Sequence, residues 1–125
     1  MPITAIRYGI KAGCEEQIAE IFADFKRTGS PVVLDDDGNE VGRILSTAVF
    51  IENDIMVRFV EYEGELADIA RFMATQPGVR EVERKLKPYL ARPRDTGSVE
   101  GFTKTFERST MRCISQLSAD KPDVP

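Results

Sequence analysis

Ile44-Leu45-Ser46-Thr47-Ala48-Val49-Phe50-Ile51, then Glu52-Asn53-Asp54, then Ile55-Met56-Val57-Arg58-Phe59-Val60-Glu61-Tyr62: the fold of this chain turns on how this stretch is read. Two runs rich in β-branched and aromatic residues, separated by a short polar segment, predict a β-hairpin. With a tight turn at Asn53-Asp54, Val49 pairs with Arg58, Thr47 with Val60 and Leu45 with Tyr62. Side chains alternate between the two faces of a sheet. Thr47, Arg58 and Tyr62 therefore share one face with Met56 and Val60, and Val57 and Phe59 take the other. Both faces are largely apolar, which is the pattern of a sheet covered on both sides.

Working outward, Ile3 to Ile10 is a short β-branched strand, broken by Lys11-Ala12-Gly13. A helix is predicted from Cys14 to Arg27, because Cys14, Ile18, Ile21, Phe22 and Phe25 recur at spacings of three and four. Glu15 and Glu16 in its first turn and Lys26 and Arg27 in its last suit the helix dipole. After Thr28-Gly29-Ser30-Pro31, Val32 to Leu34 reads as an edge strand. Beyond the hairpin, a second helix runs from Glu65 to Thr75 with Leu66, Ile69, Ala70 and Met73 on one stripe, and Gln76-Pro77-Gly78 stops it. Val79 to Glu83 fits either a fourth strand or the start of a helix continuing to Leu90. Ala91 to Gly97 is a polar loop, Ser98 to Arg108 a short helix carrying Val99, Phe102 and Phe106, and Thr110 to Leu117 a last strand.

The order β-α-β-β-α-β, followed by an extra helix and strand, is the ferredoxin-like arrangement of an α+β protein. Residues 1–117 form one domain in this reading, and 118–125, with two prolines, a flexible tail. The first and third strands are expected at the centre and the two helices on one face. A chain of 125 residues is too short to cover the other face as well. A homodimer with sheets packed face to face, extended by the C-terminal strand, is the expected solution.

Composition narrows the chemistry. The chain has no His and no Trp. That removes Ser-His-Asp and Cys-His catalysis, His-ligated haem, zinc triads and the two-His-one-carboxylate iron site. Two Cys cannot build a thiolate cluster, so no metal and no cofactor are expected, and the work falls on Arg, Lys, Tyr, carboxylates or the substrate itself. With 17 basic and 21 acidic residues the net charge is −4, which is no footprint for nucleic acid. There is no apolar run long enough for a membrane span, no signal peptide, and no CxxC pairing of Cys14 with Cys113. A soluble cytoplasmic protein is expected.

Four groups of residues invite a functional reading. The acidic run Asp35 to Glu40 resembles a calcium loop at its first positions. An EF-hand frame, however, would put Glu40 where Gly is needed and Ser46 where the bidentate Glu belongs, so the run reads as a solvated turn. Cys14 lies on a helical apolar stripe and Cys113 in the last strand, which predicts structural burial for both. Arg7 and Arg58 sit within strands, where a charge is costly unless it is paired or faces a solvated cavity. Arg58, with Thr47, Tyr62 and Met56, makes an apolar surface bearing one cation, one phenol and one hydroxyl, suited to a flat, oxygen-rich ligand. The alternative for Arg58 is a bridge to Glu61 or Glu52 of the partner subunit. Tyr8 faces opposite to Arg7, so only one of them can join the site. Finally, Arg80 to Arg94 holds six basic residues against Glu81 and Glu83, which is either a solvated helix or a face for an acidic partner.

Thr47 to Ile51, Met56 to Gly64, Gln76 to Glu81 and Thr110 to Cys113 together resemble the SchA/CurD-like family, over nearly the whole chain from Ile3 to Leu117. The resemblance implies aromatic (type II) polyketide pathways, including spore pigment and antibiotic biosynthesis. The layout is also similar to the tetracenomycin-type polyketide cyclases, which are dimeric α+β barrels. That wider superfamily includes cofactor-independent monooxygenases that oxidise anthrones. Three readings follow: a polyketide cyclase, a cofactor-independent monooxygenase, and a non-catalytic accessory that binds the synthase or an acyl carrier protein through Arg84 and Lys87. In the cyclase reading Arg58 stabilises an enolate oxygen, and Tyr62, with Tyr8 as the alternative, relays a proton. Phe22, Phe25, Met56 and Met73 hold the rings of an aromatic polyketide substrate, and Ser30-Pro31-Val32 forms a lid.

Overall fold

A computed structural model describes residues 2–23, 31–117 and 119. Its centre is the expected hairpin, with strand β3 (Glu40–Glu52) and strand β4 (Ile55–Gly64) joined at Asn53-Asp54. Asn53 takes a positive φ of 53°, as a two-residue turn matched to the strand twist requires. Val49 pairs with Arg58 and Thr47 with Val60, in the predicted register. The register then shifts, so that Ile44, and not Leu45, lies opposite Tyr62. Leu45 is the extra residue of a β-bulge, which restores the alternation and lets Ile44 pack against the core.

Strand β1 (Ile3–Gly9) pairs antiparallel with β4, and β2 (Val32–Leu34) with β3, giving a described sheet in the order β1-β4-β3-β2. Helix α1 (Glu15–Ala23) begins with two acidic residues. Its Glu15 Oε1 accepts the Asn53 N–H at 2.6 Å, tying the helix start to the hairpin turn. The remainder of the helix predicted to reach Arg27, with Phe25, lies outside the described residues.

Helix α2 (Leu66–Thr75) ends at Gln76, which is extended as a residue before proline prefers, and Pro77 opens helix α3 (Pro77–Leu86). Val79 to Glu83 is thus helical and not a strand. Val79, Val82, Glu83 and Leu86 form its buried stripe, and a 3-10 turn (Lys87–Tyr89) follows. Helix α4 (Val99–Ser109) is capped by Ser98, whose hydroxyl accepts from the Gly101 N–H at 3.0 Å.

The last predicted strand is not formed. Among the described residues from Thr110 on, Thr110 bridges Ile6, and the Met111 N–H donates to the Ala5 carbonyl at 2.8 Å. At the other end of β1, Leu90 bridges Ile10 and the Ala91 N–H donates to the Gly9 carbonyl at 3.0 Å. Two short segments therefore share the edge that a continuous fourth strand takes in a ferredoxin-like sheet. β1 is at the edge of the described sheet and β4 is central. The architecture is α+β and ferredoxin-like with this edge replaced. Because Thr110 to Leu117 leaves the sheet, Cys113 is exposed and not buried, while Cys14 packs against the core as expected.

The core lies on one face of the sheet. Ile6, Met56, Val60 and Val33 point into it and meet Ile18, Ile69, Leu86, Phe102 and Phe106 from the helices. The opposite face carries Ala5, Arg7, Val57, Phe59 and Phe50. Phe50 is 62% exposed and meets Phe59 edge-to-face at 5.4 Å between centroids.

At the open end of the hairpin Gly42 pairs with Gly64. Gly64 has φ +101°, and a Cβ there would lie 2.4 Å from the Val41 carbonyl oxygen. Gly64→Ala is expected to cost at least about 2 kcal/mol in urea unfolding, since strain and a backbone clash add. Gly13→Ala, also at positive φ but with open space around it, is expected to cost about 1 kcal/mol.

Candidate functional site

Arg58 and Tyr8 point from neighbouring strands into the helix-covered side of the sheet, and each is 3% exposed. Burying a guanidinium beside a phenol needs partners, because neither group can leave its polar atoms dry without cost. Helix α3 supplies Glu83, 2% exposed, whose Oε1 accepts the Tyr8 hydroxyl at 3.1 Å. The loop before α4 supplies Arg94. Its guanidinium carbon stands 4.0 Å from the centroid of the Tyr8 ring, and its Nε lies 3.6 Å from Glu83 Oε2, an ion pair beyond hydrogen-bond length. Arg58 completes the group from β4, and its positive charge acts on the Tyr8 phenol.

The loop that carries Arg94 is held against α4. Arg94 Nη1 donates to Ser109 Oγ at 3.0 Å and Thr105 Oγ1 to the Asp95 carbonyl at 2.8 Å. Burial raises the pKa of Tyr8 and the Glu83 carboxylate raises it further, with Arg58 and Arg94 opposing. The phenol thus keeps its proton at neutral pH and is a hydrogen-bond donor. Chemically, the group holds two guanidiniums suited to an oxygen that gains negative charge, and a phenol whose one O–H is donated to Glu83.

The other predicted site residues are placed differently. Tyr62 shares the face of Arg58 but stands four residues along β4, roughly 13 Å by strand rise, so the two do not form one polar group. Burial, then Glu65, raises the pKa of the Tyr62 phenol. Thr47 is on this face, diagonal to Arg58, and exposed. Met56 and Met73 are buried in the core, and Phe22 is half-buried against it. Arg7 alternates with Tyr8 and is exposed on the opposite face, outside the group. Phe25 and Ser30 of the supposed lid lie outside the described residues, and Val32 is in β2. Because Arg58 faces the core, it is turned away from the outer face, where a sheet-to-sheet partner would sit.

Glu83 and Arg94 were not legible as a pair. Glu83 did leave one signal, an acidic side chain on an apolar stripe with Val79, Val82 and Leu86. Arg94 follows Pro93 in a loop without periodicity and left none.

Elsewhere, the acidic run closes on itself. Asp35 Oδ1 accepts the Asp37 and Asn39 N–H groups, each at 2.9 Å, and these bonds lower the pKa of its carboxyl. In the basic stretch, Arg84 and Lys85 pair with Glu81. Arg80, Arg84 and Lys87 line a groove of about 460 Å³ with Thr96 and Gly97.

The profile of the SchA/CurD like domain matches residues 1–119. The 42.8 kDa protein in the whiE locus of Streptomyces coelicolor is 33% identical over 110 residues, covering 88% of this chain and 26% of that protein. Polyketide synthase CurD of Streptomyces cyaneus is 31% identical over 119 residues, covering 95% of this chain and 31% of its own length. Protein SchA of Streptomyces halstedii is 28% identical over 113 residues, covering 90% and 28%. The chain thus spans between a quarter and a third of the length of these relatives.

Proposed function

The chain belongs to the SchA/CurD-like domain family, and from that premise we propose that it serves aromatic polyketide biosynthesis as a cyclase that shapes and closes rings of a poly-β-ketone or polycyclic intermediate. A relative named a polyketide synthase supports the pathway. The observation that carries the reaction is the pairing of Tyr8 with Arg58 on the inner face of the sheet.

A methylene between two carbonyls is already acidic, so ring closure needs a shaped site, a donor for the enolate oxygen, and a proton for the carbonyl that is attacked. In this reading solvent takes the methylene proton, Arg58 holds the enolate oxygen, and Tyr8 turns its one O–H from Glu83 to protonate the electrophilic carbonyl, recovering a proton from solvent afterwards. Carbon–carbon bond formation converts that carbonyl to an alcohol, and its loss as water gives the aromatic ring. Tyr8 takes the role here, because Tyr62 stands too far along the strand. On β3 the inner face carries Val49 and Ile51, half-buried, and Thr47, exposed, and the proposal has the substrate enter from that side.

The test is a reconstituted pathway supplied with this protein. Arg58→Met, shown to be folded, is expected to lower the cyclised product about 10²-fold, the usual effect of removing one oxyanion donor. Ring closure is expected to proceed equally without O₂; dependence on O₂ would favour a monooxygenase. A folded Arg58→Met variant with the parent product distribution would overturn the assignment. The groove of Arg80, Arg84 and Lys87 favours a second reading, an accessory role in docking an acyl carrier protein. It calls for charge reversal at Arg84 and Lys87 to change the products while Arg58→Met does not.

The same proposal includes a homodimer. Ile3, Phe50, Ile55 and Phe59 leave an apolar outer face beside a groove of about 410 Å³ lined by β1, β4 and residues 111–116. A second copy of that face would bury it.

A further inference from the structure

We infer that Glu83 and Arg94 are positioning residues for Tyr8, fixing its ring between a carboxylate acceptor and a stacked guanidinium so that it acts as a proton-holding donor and not as a base. The inference rests on the reading of Tyr8 as the acid of the site, and it is carried by geometry. A tyrosine ring turns about two bonds. The 3.1 Å bond from its hydroxyl to Glu83 Oε1 fixes one end of the swing, and the Arg94 guanidinium 4.0 Å over the ring closes one face of it. Arg94 is itself held by the hydrogen bond from its Nη1 to Ser109 Oγ at 3.0 Å and by the ion pair of its Nε with Glu83 Oε2 at 3.6 Å.

The charged groups that face Tyr8 among the described residues are Arg58 from β4, Glu83 from α3 and Arg94 from the loop. A lone cation over the ring would favour the phenolate. The carboxylate bonded to the hydroxyl opposes that, and with burial it wins, so the proton stays. Glu83 and Arg94 therefore act on the phenol with opposite sign. A donor that keeps its proton until the substrate oxygen gains charge is what an aldol closure needs from this position.

Opposite signs give a test that simple loosening cannot mimic. The chain has three tyrosines, so Tyr62→Phe with Tyr89→Phe leaves Tyr8 as the one phenol to follow by ultraviolet absorbance against pH. In that background Glu83→Gln is expected to lower the Tyr8 titration midpoint, and Arg94→Met to raise it. Arg94→Lys, which keeps the charge, is expected to stay near the parent. If both Glu83→Gln and Arg94→Met move the midpoint down towards that of an exposed tyrosine, the two residues merely pack the ring and the inference is wrong. It is equally wrong if neither variant moves the midpoint. The product assay, run with Tyr62 and Tyr89 intact, separates the two levels. Tyr8→Phe is expected to lower product about 10²-fold. Opposed midpoint shifts together with unchanged product from Tyr8→Phe would sustain the positioning role and overturn Tyr8 as the acid.

Discussion

Replacing Glu83 with Leu is expected to destabilise the protein by about 3–5 kcal/mol, the range for breaking a buried ion pair by removing one partner. The carboxylate is 2% exposed and serves two partners at once, the Tyr8 hydroxyl and the Arg94 guanidinium. Leucine has similar bulk, so little of the loss would come from a cavity. Tyr8 would lose its acceptor and Arg94 its carboxylate, both within a buried group. Adding Arg94→Met should recover part of the loss, because the second change removes the stranded charge. Urea unfolding of the parent, the single variants and the double variant measures this, provided the slopes agree. A Glu83→Leu protein within about 1 kcal/mol of the parent would mean that the carboxylate contributes little where it stands.

The second large effect is expected at Phe50. It is the most exposed aromatic side chain of the outer sheet face and packs edge-to-face on Phe59. If two copies bury this face, Phe50→Glu places a charge in the middle of the contact and should weaken self-association at least about 10²-fold. The stability of the isolated chain should change by no more than about 0.5 kcal/mol, since the side chain is largely solvated there. Sedimentation at micromolar concentration is the measurement: the parent at twice the 14.0 kDa chain mass and the variant at the chain mass. Val99→Glu on α4, which is also exposed but away from the sheet, is the matched control and should remain dimeric. A parent that sediments at the chain mass would remove the dimer from the proposal.

Strand periodicity made part of the site readable in advance. A period of two puts Tyr8 and Arg7 on opposite faces and Arg58 with Met56 and Val60, and the tight turn at Asn53-Asp54 sets their register. Periodicity is local, and what escaped it is non-local. The bulge at Leu45 depends on how β3 twists under the helices and has no signature in its own residues. The bridge from Thr110 to Ile6 depends on where α4 delivers the chain, so a β-like composition over Thr110 to Leu117 was misleading. Arg94 looked like one more cation in a basic run, because nothing nearby in the sequence announces that its carboxylate and its aromatic ring are brought by α3 and β1.

The polar group on the inner face has a consequence for how the chain folds. Its members come from β1, β4, α3 and the loop before α4, and the Tyr8–Glu83 bond alone joins residues 75 positions apart. No local fragment can neutralise these charges while hiding them from water. A half-assembled chain that collapses around the hairpin must therefore either keep Arg58 solvated or bury it without its neighbours, and both raise the free energy of the intermediate. The finished structure escapes that penalty only when all four pieces arrive. The group thereby widens the energy gap between the native state and its compact competitors, and it favours concerted assembly in a molecule whose sheet edge, among the described residues, is held by two short bridges.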